Sequence, residues 1–432
     1  MKHDTYSGWG RVLKATGDIA RPEKAATPRP IAPAIGNLRT YGDAALNDGG
    51  TVVQMTRMDR FIVFDPLTGV LKAEAGVTIA EILRVFGPKG WMPAAMPGTA
   101  YATLGGAVAA DVHGKNHETM GSFGQHVLEF ELRNNENKVE TIRPEDPLFR
   151  ATIGGMGLTG IIETATIQLA PCPSMMMDVT EKRMPNLAAF LDAFEKVEAP
   201  YSVGWVDATA RNGSLGRGIL ETATFSKETA EPRARLPHRQ VPFDTPGFLL
   251  SAPIVRLFNK GYFFRVPGSG RTLTRSVRRF FFPLDQFANW NRLYGKRGFH
   301  QFQCVLPHRT AAMTLDTMLR EIAASGLASP LAVLKKLGPG RAGIMSFPME
   351  GYTLAVDLPN RGNVDSLLQR LTALTKEANG RIYLAKDSSV DAESLRKMYP
   401  DLPEFSAALS RADFAGYFET DLSRRLKLRG DK

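Results

Sequence analysis

Met96-Pro97-Gly98-Thr99, Thr103-Leu104-Gly105-Gly106-Ala107, Asp111-Val112-His113-Gly114-Lys115-Asn116-His117 and Gly121-Ser122-Phe123-Gly124 follow one another in a single short stretch. Six glycines and a proline interrupt only brief apolar runs, which predicts a segment made mostly of tight backbone turns with polar side chains between them. Glycine lets main-chain N–H groups approach a ligand closely. The interspersed Thr, His, Lys and Asn side chains add hydrogen bonds and charge, so the stretch reads as a site for a phosphate-bearing cofactor. A glycine-rich surface connection is the plainer alternative for any one piece.

Working outward, Pro30–Ile35 enters a second polar turn, Gly36-Asn37-Leu38-Arg39-Thr40-Tyr41-Gly42-Asp43. Thr51–Met55, Phe61–Phe64 and Val70–Ala75 read as strands of an antiparallel or mixed sheet. Thr78 with Glu81 makes a capping box for a helix that Gly87-Pro88 ends. Val127–Leu132 is another strand, and a short helix carries Leu148–Ala151. Gly155-Met156-Gly157-Leu158-Thr159-Gly160 matches G-x-G-x-x-G only in form, because it follows a helix and opens the β-rich run Ile161–Leu169; a dinucleotide fingerprint does the reverse. Pro171-Cys172-Pro173 reads as a boundary. Beyond it come the helix Asn186–Val197, the strands Tyr201–Asp207 and Leu215–Thr224, an aromatic helix around Trp290, and the alternating strand Phe299–Val305, which sets His300, Gln301 and Gln303 on defined faces. The helix Ala311–Ser325, the strands Ala332–Lys336 and Gly351–Asp357 and the helix Val364–Glu377 then define a second α+β unit.

The 432 residues and 43% hydrophobic content suit two or three packed domains. Cys172 and Cys304 are too few for a disulfide framework or a metal cluster, and a reducing cytoplasm follows. His113 and His117 lack a third ligand, so no metal is expected. No Gly-x-Ser-x-Gly elbow and no P-loop occurs. The N-terminus lacks an apolar signal core and no run reaches the ~18 residues of a spanning helix, which reads as neither secreted nor membrane-spanning. Of the net +10, the stretch 233–279 carries +9: Arg233, Arg235, Arg239, Arg256, Lys260, Arg265, Arg271, Arg275, Arg278 and Arg279 against Asp244. These charges alternate with bulky apolar residues, and Pro246, Pro253 and Pro267 are expected to break up any long helix. That texture fits an anionic membrane surface or lipid phosphate better than nucleic acid; a flexible lid is the alternative.

Arg39-Thr40-Tyr41-Gly42-Asp43, Pro97-Gly98-Thr99, Thr103-x-Gly105-Gly106-Ala107, His113-Gly114-Lys115-Asn116-His117, Gly157–Ile162 and Tyr383-x-x-Lys386-Asp387-Ser388 together resemble the vanillyl-alcohol-oxidase type of FAD-dependent oxidoreductases. The resemblance runs from Gly8-Trp9-Gly10-Arg11 through Trp290-Asn291-Arg292 to Arg424-Arg425-Leu426. The His-Gly-Lys-Asn-His and Tyr-x-x-Lys-Asp-Ser blocks are its specific parts. It implies an α+β, two-domain FAD-binding PCMH/vanillyl-alcohol-oxidase-like fold: residues 1–173 and 381–432 form the FAD domain, and 174–380, with the basic-apolar insertion 233–279, form an inserted α+β substrate domain.

The resemblance also implies non-covalent FAD, since Tyr41 stands where covalent relatives carry His. FAD would be lined by Gly36, Asn37, Arg39, Thr40, Tyr41, Gly42, Asp43, Gly98, Thr99, Thr103, Leu104, Gly105, Gly106, His113, Gly114, Lys115, Asn116, Ile162 and Tyr383. The implied reaction is oxidation of the ribose C2 hydroxyl of a polyprenyl-phosphoryl ribose, with a separate NAD(P)H-dependent short-chain reductase completing an epimerisation; the cysteine and charge readings, independently of the resemblance, suit a cytoplasmic protein peripheral to the inner face of the cell membrane. A soluble sugar alcohol or aldonolactone is the alternative substrate, and a lipid-associated binding protein the alternative without catalysis.

Hydride loss from a carbinol leaves negative charge on reduced flavin, which a cation stabilises. Lys386 is the candidate, unless it is a solvated lysine paired with Asp387. Gln303 and His113 join it as catalytic candidates. Lys115, Trp205, Arg292, Gln301, Gln303 and Lys386 are the substrate-binding set; Gln303 facing water, and Trp205 or Tyr383 as plain core, are the alternatives. Three positions depart from relatives: Leu38 replaces a usual glycine, Phe281 a tyrosine, and Ala355 a cysteine.

Overall fold

The computed structural model describes residues 1–24, 30–228 and 239–430. Arg233 and Arg235 of the basic stretch lie outside the described residues. The N-terminal sheet orders its strands Lys2–Ser7, Lys14–Ala20, Thr51–Gln54 and Ala34–Ile35, the first pair antiparallel and the others parallel. A six-stranded antiparallel sheet is built around Ile161–Pro171, which pairs with Val70–Glu74 and Val127–Arg133 on its two sides and with Trp91–Pro93 at its end. Its first five residues are all buried, because both faces are covered. The largest sheet has eight strands, in the order Arg271–Ser276, Met176–Met184, Gly218–Phe225, Tyr201–Val206, Ala332–Leu337, Gly351–Pro359, Phe299–Leu306 and Arg381–Ile382.

Local chemistry accounts for much of this. Thr78 Oγ accepts from the Glu81 N–H at 3.2 Å while the Glu81 carboxylate accepts from the Thr78 N–H at 3.0 Å. This reciprocal cap starts the helix Ile79–Phe86, whose Ile79, Ile82, Leu83 and Phe86 are buried. The helices His308–Ser325 and Val364–Glu377 bury their apolar stripes in one core with the eight-stranded sheet. Cys304 sits in that core and Cys172 in the core of the six-stranded sheet; both are free thiols.

Three expectations are corrected. The glycine-rich stretch is not mostly turns: Leu104–Ala109 is a helix whose N-terminus Thr103 caps by accepting from Gly106 N–H. Gly105 is needed there for packing, since a Cβ on it would lie 2.9 Å from the Ala75 Cβ. The prolines of the basic stretch do not prevent a helix, and Ala252–Phe264 forms one of 13 residues. Pro253 falls in its first turn, where a missing N–H costs nothing, and Pro267 lies past its end. Around Trp290 there is only the 3-10 segment Trp290–Tyr294, bracketed by the left-handed Asn289 (φ 56°) and by Gly295 (φ 73°).

Candidate functional site

A cavity of about 760 Å³ opens between the two polar turns and the eight-stranded sheet. Period-two alternation builds one wall. Trp205 pairs with Val333, Val333 with Ala355, and Ala355 with Gln303, so four adjacent strands present one row of side chains to the cavity. Gln301 and Lys335, each two residues along its strand from a member of that row, share the wall. Gly36, Asn37, Arg39, Thr40, Tyr41, Gly98, Thr99, Thr103, Gly106, His113, Gly114, Lys115, Tyr383 and Lys386 complete the lining among the expected residues.

Lys386 is not paired with Asp387. Asp387 accepts from Arg425 at 2.8 Å and from the Ser389 and Val390 N–H groups at 3.0 Å, while the Lys386 ammonium lies 3.9 Å from the centre of the Tyr41 ring. Burial lowers the Lys386 pKa to about 7, against a raising effect of Asp357 and with a further lowering by Lys335. Asp357 is itself pushed up to about 7 by burial, although Gln301 at 2.6 Å and Tyr294 at 3.0 Å donate to it. The Gln303 amide nitrogen lies 3.0 Å from His113 Nε2 and 3.3 Å from Thr353 Oγ1. With the amide donating, the ring proton sits on Nδ1, a buried atom with no partner among the described residues. Burial, then Lys335 and His117, hold the His113 pKa well below the usual value, so this ring is neutral. Tyr383 donates to the Ala110 carbonyl at 2.9 Å and stacks on Phe347, a fixed aromatic wall rather than a free phenol. Lys115 donates to the Phe280 carbonyl and covers the Phe280 ring; burial lowers its pKa to about 8.

The residues fit a flavin nucleotide. Arg39 Nε, Thr40 Oγ1 and His113 Nδ1 are buried beside the cavity without a hydrogen-bond partner among the described residues. Gly98 has nothing within 4 Å of where its Cβ would stand, so its backbone is open to a ligand. Leu38 adopts the left-handed φ of 52° that glycine takes freely. The turn therefore keeps its shape at the expense of some backbone strain. Arg39 is clamped over the rings of Trp9 (3.9 Å) and Tyr101 (5.0 Å).

Seven expected residues lie outside the lining. A Cβ on Gly42 would stand 1.6 Å from the Asp387 carbonyl oxygen, so Gly42 packs the turn against the C-terminal segment. Asp43 is bound by Arg425 at 2.7 Å. Leu104 is core, Gly105 meets Ala75, and Ile162 lies in the sheet interior. Asn116 donates to the Ala94 carbonyl at 2.8 Å. Arg292 donates to the Pro242 carbonyl at 2.7 Å, so it braces the insertion and does not reach the cavity. Conversely, Trp9, Glu221, Tyr262, Arg275, Phe280 and Lys335 line the cavity and were missed. Lys335 had a signal, its spacing from Val333 on an expected strand. Its pKa is lowered to about 8 by burial and then by Lys115. Of the basic stretch, Arg265, Arg271 and Arg275 turn inward onto the fully buried Glu181 at 2.9, 2.6 and 2.6 Å. Burial would raise Glu181; Arg271 and Arg275 outweigh it and hold the carboxyl at about 2.

Two glycine-shaped turns, a cavity beneath them and a wall of amides and lysines define an FAD-dependent oxidoreductase, and residues 24–143 match the family described as FAD binding domain. The chain is 36% identical over 407 residues to decaprenylphosphoryl-β-D-ribose oxidase of Mycolicibacterium smegmatis, covering 90% of this chain and 88% of that one. It is 32% identical to an uncharacterized protein in the mprA 5′ region of Streptomyces coelicolor, across 82% of this chain and all of that one. A D-lactate dehydrogenase of Anaerostipes hadrus is 24% identical over 157 residues. The chain belongs to the FAD-dependent oxidoreductase family that includes decaprenylphosphoryl-β-D-ribose oxidase.

Proposed function

We propose that this chain oxidises the ribose C2 hydroxyl of a polyprenyl-phosphoryl-β-D-ribose to the 2-keto sugar, the first half of an epimerisation to the arabinose form. The observation that carries the proposal is the cavity wall: hydrogen-bonding Gln301 and Gln303 beside Lys115, Lys335 and Lys386, three lysines without a carboxylate in salt-bridge distance among the described residues. Amides suit sugar hydroxyls, and desolvated, unpaired cations suit an anionic ligand. The name of the mycolicibacterial relative supports the same substrate class.

FAD, held without a covalent link by the turns around Tyr41 and Gly98, supplies the hydride acceptor. Gln303, oriented by His113 and Thr353, positions the sugar. Lys386, with its pKa near 7, is present partly as the free amine at neutral pH; in that form it accepts the hydroxyl proton as C2 loses hydride. As the ammonium it then balances the negative charge left in the site. Phe281 offers no phenol for this task. A separate NAD(P)H-dependent short-chain reductase completes the epimerisation, and the buried free thiols suit a reducing cytoplasm.

Deuterium at C2 of the substrate tests the position oxidised. The proposal predicts a severalfold slower anaerobic bleaching of the flavin bands with the C2-deuterated substrate; an unchanged rate, with a slowed rate for deuterium at C3, would move the reaction to another carbon.

A further inference from the structure

Among the described residues no helix is long and apolar enough to cross a membrane, yet the apolar surface is concentrated. Nine of the eighteen exposed large hydrophobics among the described residues fall between Phe243 and Leu293. The helix Ala252–Phe264 is the centre of this patch. It buries Val255, Asn259 and Phe263 in one stripe and turns the opposite stripe outward: Ile254, Leu257, Phe258 and Phe264 are 39, 72, 52 and 55% exposed. Arg256 and Lys260 flank that stripe, both exposed and without an ion pair among the described residues. An apolar face rimmed by cations is the pattern of a helix lying in a headgroup interface.

Two further observations choose the occupant. The first is charge. Arg239, Arg256, Lys260, Arg278, Arg279, Lys296 and Arg297 are exposed around the patch. Asp244 and Asp285, the two acids in the sequence between Arg239 and Arg297, are engaged, Asp244 by Arg11 and Asp285 by Thr99 and Ala100. A second copy docked through the same face would set these like charges against each other, whereas an anionic lipid surface neutralises them. The second is continuity with the cavity. Tyr262 and Arg265, on this helix and just after its end, line the cavity. Trp205 of the cavity wall packs on Tyr262 at 4.6 Å, and Tyr262 on the exposed Phe258 at 6.0 Å, an aromatic path from the site to the outer face.

We infer that the outward face of the Ala252–Phe264 helix seats on an anionic phospholipid surface and sets the cavity mouth at the headgroups, so that a lipid-linked substrate enters without leaving the bilayer. This deepens the proposed function and rests on it only for the identity of the substrate.

The test is flotation of the FAD-loaded protein, with no substrate present, on phosphatidylcholine vesicles with and without phosphatidylglycerol. Wild type is expected to float with the anionic vesicles and stay down with the neutral ones. Ile254→Glu/Leu257→Glu and Arg256→Glu/Lys260→Glu should each lower the bound fraction about tenfold or more while keeping the wild-type flavin spectrum as evidence of folding. Wild type that does not float, or variants that float as well as wild type, would overturn the inference. So would a concentration-dependent dimer by light scattering that the Ile254→Glu/Leu257→Glu variant abolishes, because the face would then belong to a second copy. Because these readouts contain no sugar, they stand or fall separately from the oxidation chemistry.

Discussion

Replacing Arg425 with Met isolates the contact that ties the C-terminal helix Asp421–Arg425 to both halves of the site. Its guanidinium donates to Asp43 at 2.7 and 2.8 Å, to Asp387 at 2.8 Å and to the Val390 carbonyl. The Asp43 and Asp387 side chains are only 5 and 3% exposed. Removing one partner of a buried ion pair costs about 3–5 kcal/mol; with the Arg425 side chain itself 26% exposed, about 3 kcal/mol is the expected loss. In a chain of this size that lowers Tm by roughly 5 °C. The loss must also depend on pH. Burial raises the Asp43 carboxyl above its ordinary 3.8 and Arg425 holds it down, so the variant raises it further. Between 3.8 and that raised value the folded variant binds more protons than the unfolded chain, and its stability falls as pH rises. Calorimetry of the two proteins should therefore show a deficit that is smallest near Asp43's ordinary 3.8 and grows as pH rises through the raised value. Arg425→Met/Asp43→Asn/Asp387→Asn should recover most of it. An Arg425→Met protein with wild-type Tm at every pH would refute the reasoning.

Gly42→Ala, whose Cβ would overlap the Asp387 carbonyl at 1.6 Å, should unfold at markedly lower temperature; Gly98→Ala, with open space at its Cβ, should keep the apoprotein Tm and lose FAD affinity by titration. In the apoprotein, Lys115, Lys335 and Lys386 release protons at about 8, 8 and 7 instead of 10.5, so the unfolded chain binds more protons and stability rises as pH rises through that window. Lys335→Met should raise Tm at pH 7 and flatten this slope, and an unchanged slope would contradict the assignment. Lys386→Met should retain FAD but slow anaerobic flavin reduction by substrate about 10²–10³-fold in stopped flow.

Signals that lie along the chain were legible. The Thr78/Glu81 cap and the Val364–Glu377 helix follow from local spacing, and the alternation of Phe299–Val305 places Gln301 and Gln303 on the cavity wall. What depends on distant partners was not. Gly98 and Gly42 look alike in sequence, yet one opens to the cavity and the other packs on Asp387, since glycine serves close approach to ligand and to protein equally. Arg265, Arg271 and Arg275 count as surface charge until the sheet brings Glu181 beneath them. Glu221 and Tyr262 converge from remote segments and carry no motif that marks them.

The central claim is that the cavity oxidises a lipid-phosphate-linked ribose through its flavin. The direct measurement is the visible spectrum of the purified FAD-loaded protein under anaerobic conditions, before and after addition of a polyprenyl-phosphoryl-β-D-ribose, with free ribose as the comparison. The account predicts that the flavin bands bleach with the lipid-linked sugar and not with free ribose; bands that stay unbleached with the lipid-linked sugar but bleach with a soluble sugar alcohol or aldonolactone would contradict it.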